Sequence, residues 1–112
     1  MSDGPPFQYI VLHESVRDHP GVIAVHAAHA AGESCFEGPA LDDTRVVVLV
    51  AQDSEELVDL SRRLTEARVR HALIVETDGL RAGQATALGT MPTRDRTSVS
   101  VFFPREQFKV LR

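Results

Sequence analysis

Several features that define common protein classes are scarce or absent in this sequence. Its one cysteine, Cys35, excludes an internal disulfide and a cysteine-rich zinc site. No apolar run approaches the roughly 20 residues that span a bilayer, and residues 1–6 have neither the basic nor the apolar part of a secretory signal. The glycine-rich nucleotide-binding patterns are also missing. We therefore expect a cytoplasmic protein that does not contact membranes.

Length and composition predict one compact domain. The chain has 112 residues, of which 43% are hydrophobic and 25% are charged. Those values are ordinary for a single globular domain, whereas two domains of this total length would each bury too little surface to be stable. We expect one domain over residues 1–112, with residues 1–6 as a flexible N-terminus.

Charge is divided unevenly along the chain, and lysine is almost absent. The net charge is −4, but residues 1–61 sum to −9 and residues 62–112 to +5. Lys109 is the single lysine beside eleven arginines, and arginine is the better clamp for a phosphate group. This division allows an acidic protein to present a surface that binds an anion.

Hydrophobic patterning predicts four strands and two main helices. The strands are expected at residues 7–12, 45–51, 70–75 and 86–90, where β-branched and apolar residues cluster. The second run has no polar alternation, which is typical of a central strand covered on both faces. Helices are expected over residues 18–35 and from Asp53, which with Glu56 forms a capping-box signature.

The C-terminal part is less defined by its pattern. Residues 97–103 alternate serine with valine and fit either a short edge strand or an extended arm. From Pro104 onward the sequence fits a short helix or a tail.

The order strand, helix, strand, helix, strand predicts an α/β fold. Two crossover units would produce a mixed but mostly parallel sheet of four strands, or of five, flanked by helices in a single domain. Ligands in such sheets collect near the carboxyl ends of the strands. That rule places His13, Gln52 and residues 76–78 at the predicted functional edge.

Two carboxylates at a strand end are candidates for acid–base chemistry. Glu76 and Asp78 are two residues apart, so an extended segment would aim both to one side, where one carboxylate can raise the pKa of the other. Such a pair can activate a water molecule as a general base. Asp78 followed by Gly79 is also a turn signature, and the two interpretations are compatible.

A histidine cluster on the first predicted helix is a weaker candidate. His26, His29 and Glu33 share one side of that helix and are chemically suitable ligands for zinc or another divalent ion. Zinc motifs on helices usually place histidines four residues apart, and no fourth ligand is visible. Our prediction is no metal and no cofactor. A metal-dependent hydrolase built on these three residues stays open as the weakest of three functional hypotheses, the other two of which are given below.

Four stretches, in the same order, carry a resemblance to a known family. Residues 21–30 are similar to the family pattern Gly-Lys-x-Ala-Ala-Gln-x-x-His-Ala, and residues 44–57 to its central strand and the acidic start of its next helix. Residues 76–79 match a strand-end acidic motif, and residues 86–92 look like Thr-x-Leu-x-Ile-Gly-Pro. The chain resembles the type II peptidyl-tRNA hydrolases over nearly its whole length.

The resemblance implies an activity and a set of site residues. The family hydrolyses the ester that joins a peptide to the 3′ end of tRNA, without a cofactor, by attack of a water molecule. His29, Asp78 (or Glu76) and Thr86 match family positions. The resemblance implies that Asp78 or Glu76 activates the water, that His29 and His26 position the substrate, and that Thr86 forms a hydrogen bond with the end of the substrate. The resemblance also implies tRNA or peptidyl-tRNA as the partner and a homodimer as the assembly.

Two departures from the family pattern open a second interpretation. The family lysine falls on Val22 and its glutamine on His26. Arg81, Arg94 and Arg96 are our candidates to bind the anionic substrate from the loops in place of that lysine. The alternative function is a catalytically inactive binding or regulatory module with the same fold.

Overall fold

A five-stranded sheet is the frame of the part of the chain that the structure describes. The computed structural model describes residues 5–16, 45–77, 79 and 82–110. Their strands lie in the spatial order β3-β4-β1-β2-β5, with bounds β1 (Phe7–His13), β2 (Arg45–Ala51), β3 (His71–Val75), β4 (Ala85–Thr90) and β5 (Lys109–Val110). The helical elements of the same residues are a 3₁₀ turn (Glu14–Val16), α1 (Ser54–Glu66) and α2 (Arg96–Ser100).

The sheet is mixed, with one parallel pair among its four strand pairings. β1 pairs with β2 in parallel, whereas β1–β4, β3–β4 and β2–β5 are antiparallel. The α/β class and the mixed five-stranded sheet are confirmed, but the expectation of mostly parallel pairing is wrong. β1, β2 and β3 do run in one direction, as the crossover argument requires. β4 lies between β1 and β3, so those two do not bond to each other.

Helix α1 forms where the capping signature predicts it. Asp53 is the N-cap, and its Oδ1 accepts a hydrogen bond from the Glu56 backbone N–H at 2.8 Å. Leu57, Leu60 and Leu64 project from one face and are fully buried in the core. Burying each leucine contributes about 1.5–3 kcal/mol, which packs α1 firmly on the sheet.

Residues 97–103 are neither an edge strand nor an extended arm, because α2 occupies most of this segment. Asp95 is its N-cap and accepts from the Ser98 N–H. An alternating strand would bury Val99 and Val101 on the same face, but Val101 is 68% exposed. The buried pair is Val99 and Phe103, four residues apart. Helical spacing therefore overrides the short alternation.

The C-terminal segment is a turn followed by a strand, not a helix or a tail. The backbone N–H groups of Gln107 and Phe108 both donate to the Pro104 carbonyl, at 3.0 and 2.9 Å. This turn inserts the fully buried Phe108 ring beside Phe103, which in turn stacks on Tyr9 with ring centroids 4.4 Å apart. The aromatic packing holds β5 against β2.

Two predictions lie wholly or partly outside the described residues: the helix at residues 18–35, which includes Cys35, and the flexible N-terminus, of which residues 1–4 are not described. Within that N-terminal segment Pro6 is buried, and its carbonyl accepts a hydrogen bond from the Arg45 N–H at 2.8 Å. The assignment of one domain to the full range 1–112 also stays a prediction. Among the helices that the structure describes, none has the length and apolar character needed to cross a membrane.

Candidate functional site

The carboxyl ends of three strands meet at one edge of the sheet, which we call the carboxyl edge. β1 ends at His13, β2 is followed by Gln52, and β3 is followed by Glu76. β4 runs in the opposite direction and begins at this edge, so Thr86 lies there as well. The predicted position of His13, Gln52 and Glu76 at a common edge is therefore correct for these three residues.

Glu76 and Thr86 are joined by a side-chain hydrogen bond. The Thr86 hydroxyl donates to Glu76 Oε1 over 2.9 Å. Thr86 is 1% exposed and Glu76 is half-buried. A buried hydroxyl that donates to a carboxylate restricts the orientation of that carboxylate. The two predicted site residues that the structure describes at this edge are thus in direct contact.

The backbone around this pair explains the contact. Glu76 N–H donates to the Gln84 carbonyl at 3.0 Å, and Gly83 N–H donates to the Glu76 carbonyl at 2.8 Å. The β3–β4 register then shifts: Ile74 pairs with Ala87, and Val75 pairs with Ala85. Thr86 is the extra residue in this bulge, and bulges change the direction in which a side chain points.

Gly79 and Gly83 give the β3–β4 loop its shape. Their φ angles are +79° and +83°, a region that residues with a Cβ atom rarely adopt. The glycine after Asp78 supports the turn that the sequence predicts at this point. Asp78 itself lies outside the described residues.

The start of α1 is fixed to the same edge. Ser54, its first residue, donates from its hydroxyl to the Ala85 carbonyl at 2.7 Å, next to Thr86 in the chain. Burial raises the pKa of Glu56, and the nearby Asp53 carboxylate raises it further, while hydrogen bonds from the Gln52 backbone and the Gln107 side chain partly oppose the shift. The carboxyl edge is therefore crowded with acids.

The histidine cluster and Arg81 cannot be placed in this site. His26, His29, Glu33 and Arg81 lie outside the described residues, so their predicted roles remain predictions. In the part of the chain that is described, no group of three histidine, cysteine, aspartate or glutamate side chains could hold a metal ion. That finding does not test the cluster of His26, His29 and Glu33.

A comparison of the sequence with protein-family models identifies the family of the chain. The family model for peptidyl-tRNA hydrolase PTH2 matches residues 7–103, which is most of the chain.

The chain belongs to the peptidyl-tRNA hydrolase PTH2 family. The match includes β1 to β4, α1, α2 and all the residues predicted as catalytic, so the protein is peptidyl-tRNA hydrolase-like at the level of the family. It stops before Phe108 and β5. A search of curated proteins finds no match to the chain.

Two of the predicted substrate-binding arginines lie far from the PTH2 carboxyl edge. Thr93 bonds to the Phe7 backbone at the start of β1, and the Arg96 guanidinium lies 4.1 Å from the centre of the Phe7 ring. Arg94 is between them in the chain. β1 is seven residues long, about 20 Å at about 3.3 Å per residue. The structure therefore does not bring Arg94 and Arg96 to Glu76 and Thr86.

Three further arginines at this opposite edge were not singled out from the sequence. Arg45 begins β2, Arg70 immediately precedes β3, and Arg68 follows the end of α1. Arg68 has a φ of +61°, which is uncommon for any residue other than glycine. A pattern of arginines at the amino ends of predicted strands was the available signal. We call this end of the sheet, with Arg45, Arg68, Arg70, Arg94 and Arg96, the amino edge.

Proposed function

We propose that this PTH2-family protein hydrolyses the ester between a peptide, or another acyl group, and tRNA. The observation that carries the proposal is the hydrogen-bonded pair of Glu76 and Thr86 at the carboxyl edge, within the matched residues 7–103. A carboxylate held in one orientation by a buried donor is suited to accept a proton from a water molecule. Neither a metal nor a cofactor is required for that step.

The reaction needs one proton to move twice. Glu76, or Asp78 two residues later in the chain, removes a proton from water as the water oxygen bonds to the ester carbonyl carbon. The tetrahedral intermediate then collapses: the bond from that carbon to the ribose oxygen breaks, and the carboxylic acid returns the proton to the ribose oxygen. The products are a peptide with a free carboxyl group and tRNA with a free terminal hydroxyl.

The other predicted residues have positioning roles in this proposal. With 1% exposure, the Thr86 hydroxyl orients Glu76 rather than contacting the substrate end directly. His26 and His29 position the ester, and donors at the carbonyl oxygen are worth about 10²–10³ in rate in comparable reactions. Arg81, Arg94 and Arg96 contact the tRNA. We further propose that the protein works in the cytoplasm as a homodimer.

A second candidate function has a specific observation in its favour. The family lysine is replaced by Val22 and the family glutamine by His26, so a cation expected near the developing negative charge is absent from that position. A protein that binds tRNA without hydrolysing its ester would need no such cation. The alternative is therefore an inactive binding or regulatory module of the same fold.

Deacylation of N-acetyl-aminoacyl-tRNA in the presence of a metal chelator separates these functions. Turnover by the wild type that survives chelation and is lost in Asp78→Asn or Glu76→Gln supports the hydrolase. Glu55→Gln is the matched control, because Glu55 is an exposed acid in the first turn of α1, which begins at the same carboxyl edge. Tight tRNA binding without turnover supports the inactive module. Turnover that the chelator abolishes supports the metal-dependent reaction of His26, His29 and Glu33.

A further inference from the structure

A cleft at the amino edge is lined by arginine. It has a volume of about 340 Å³ and lies between residues 67–70, which join α1 to β3, and residues 91–99, which lead from β4 into α2. Arg68 and Arg70 both line it. Asp95 also lines the cleft, but its carboxylate is directed to the backbone of α2 as the N-cap. We call this the arginine cleft.

The charges in the arginine cleft are not neutralised within the described part of the chain. Among those residues, neither Arg68 nor Arg70 forms an ion pair with a carboxylate. Arg62 and Arg63 on α1 differ, because both pair with Asp59. Both cleft side chains are exposed. Unpaired arginines create a positive potential that attracts anions, whereas paired ones contribute little to it.

The segment that carries the two arginines is held in place at both ends. Arg68 N–H donates to Thr65 O at 3.0 Å, which closes the end of α1. The His71 ring bonds to the Val69 carbonyl through Nδ1 at 2.8 Å and to the Ser61 hydroxyl through Nε2 at 2.7 Å. The carbonyl can only accept, so Nδ1 is the donor to it, and in the neutral ring Nε2 then accepts from the hydroxyl. A backbone that is already held in place loses less entropy when its side chains bind a ligand.

The positive charge continues along the sheet as a row. Arg70 precedes β3, Arg96 lies over the first residue of β1, and Arg45 begins β2, in the same order as the strands. Neighbouring strands are about 4.8 Å apart, so the row from β3 to β2 is about 14 Å long. A row of this length matches a linear polyanion better than a single phosphate ion, and guanidinium groups bind phosphate with two parallel hydrogen bonds.

We propose that the amino edge, through Arg68 and Arg70, binds the phosphodiester backbone of RNA about 20 Å from the carboxyl edge. This deepens the proposed function and rests on it for the identity of the RNA, which is the body of the tRNA whose ester reacts at the carboxyl edge. The substrate is then held at two points, at its ester and at its backbone. Recognition of phosphates alone makes this contact independent of RNA sequence.

Binding of deacylated tRNA, measured by fluorescence anisotropy over a range of salt concentrations, tests the surface without any need for turnover. The double variant Arg68→Gln with Arg70→Gln keeps both side-chain stems and removes two charges. We expect it to weaken binding by about tenfold or more and to reduce the steepness of the salt dependence by roughly 1.4–1.8, since each lost phosphate contact contributes about 0.7–0.9. The control, Arg62→Gln with Arg105→Gln, removes two charges elsewhere.

Equal affinities and equal salt slopes for the two double variants overturn the proposal. Competitors identify the ligand: an RNA oligonucleotide should displace tRNA, whereas inorganic phosphate at equal phosphate concentration should not. Displacement by polyglutamate as effective as by RNA would mean a general polyanion site and would also overturn it.

Turnover separates this proposal from the proposed function. In the Arg68→Gln/Arg70→Gln variant, kcat/KM for whole N-acetyl-aminoacyl-tRNA should fall at least about tenfold more than kcat/KM for a short oligonucleotide carrying the same ester. An equal fall for both substrates would overturn the two-point contact. If the wild type hydrolyses neither substrate, the proposed function fails, while the anisotropy result still decides whether the amino edge binds RNA.

Discussion

The two edges of the sheet differ in charge and in how their polar groups are used. At the carboxyl edge, Glu76 and Thr86 are bonded to each other, and Asp53 and Glu56 are tied to the start of α1. At the amino edge, Arg68 and Arg70 are exposed and have no carboxylate partner among the described residues. One edge has fixed polar groups suited to chemistry, and the other has available charge suited to binding. The net charge of −4 hides this separation.

The largest effect is expected from substitutions at the carboxyl edge, which test whether its polar groups serve catalysis. Glu76→Gln removes the proton acceptor and should lower kcat for N-acetyl-aminoacyl-tRNA by about 10²–10⁴-fold. Thr86→Val keeps the volume of the side chain but removes the hydroxyl, so kcat should fall more than KM changes. Thr86→Ser should restore much of the rate. Equal activity of Thr86→Val and wild type would contradict an orienting role for this hydroxyl.

A second large effect is expected in the core that separates the two edges. Phe108→Ala removes a fully buried ring and should lower the free energy of unfolding by about 3–5 kcal/mol, measured by urea denaturation. Phe102→Ala is the control, because Phe102 is half-buried and should lose less. Phe108 lies outside the family match, so a small loss would show that the C-terminal segment is dispensable for the fold.

A smaller effect should be confined to the amino edge. Ser61→Ala removes the hydrogen bond to His71 Nε2 and should lower the free energy of unfolding by about 1 kcal/mol. Amide hydrogen exchange should accelerate at residues 69–72 and stay unchanged at residues 84–87. Thr65→Ala, which removes an exposed hydroxyl from the same face of α1, should change stability by less than about 0.5 kcal/mol. Faster exchange at both edges would mean that they are mechanically coupled.

The smallest effect concerns the pH dependence of the carboxyl edge. Because burial and Asp53 raise the pKa of Glu56 in the folded protein, folding favours its protonated form. Its contribution to stability is therefore present below the ordinary glutamate value of 4.5 and is lost as pH rises through the raised pKa. Glu56→Gln should become progressively more stable than wild type, by urea midpoint, as pH increases toward 7. A difference in urea midpoint between Glu56→Gln and wild type that stays constant across this pH range would contradict the prediction.

Local features of the fold were predictable from particular residues. The Asp53 side chain bonds to the backbone three residues later, and Leu57, Leu60 and Leu64 recur with the period of a helix, so α1 could be located within a residue or two. The run at residues 45–51 coincides with β2. Residues 97–103 were misjudged, because four alternating residues are too short a pattern to outweigh a cap at Asp95.

The candidate site was predictable in part. Placing Glu76 at a strand end required only the apolar run before it, and the family resemblance supplied Thr86. The bulge that turns Thr86 toward Glu76 depends on the pairing register of β3 with β4, which no local pattern encodes. Arg94 and Arg96 were assigned to the same site as loop arginines that could replace the charge of the family lysine, but β4 carries the chain to the opposite edge.

By itself, the sequence determined where α1, β1 and β2 form, because caps and periodicity act between near neighbours in the chain. It also determined that β1, β2 and β3 run in one direction, because crossover connections join parallel strands. The tertiary structure alone decided that β4 lies between β1 and β3, that Thr86 meets Glu76, and that the arginines gather at the amino edge. Those outcomes depend on hydrogen bonds and packing between residues far apart in sequence. Such contacts form only when whole strands are arranged together, so no single segment of the sequence predicts them.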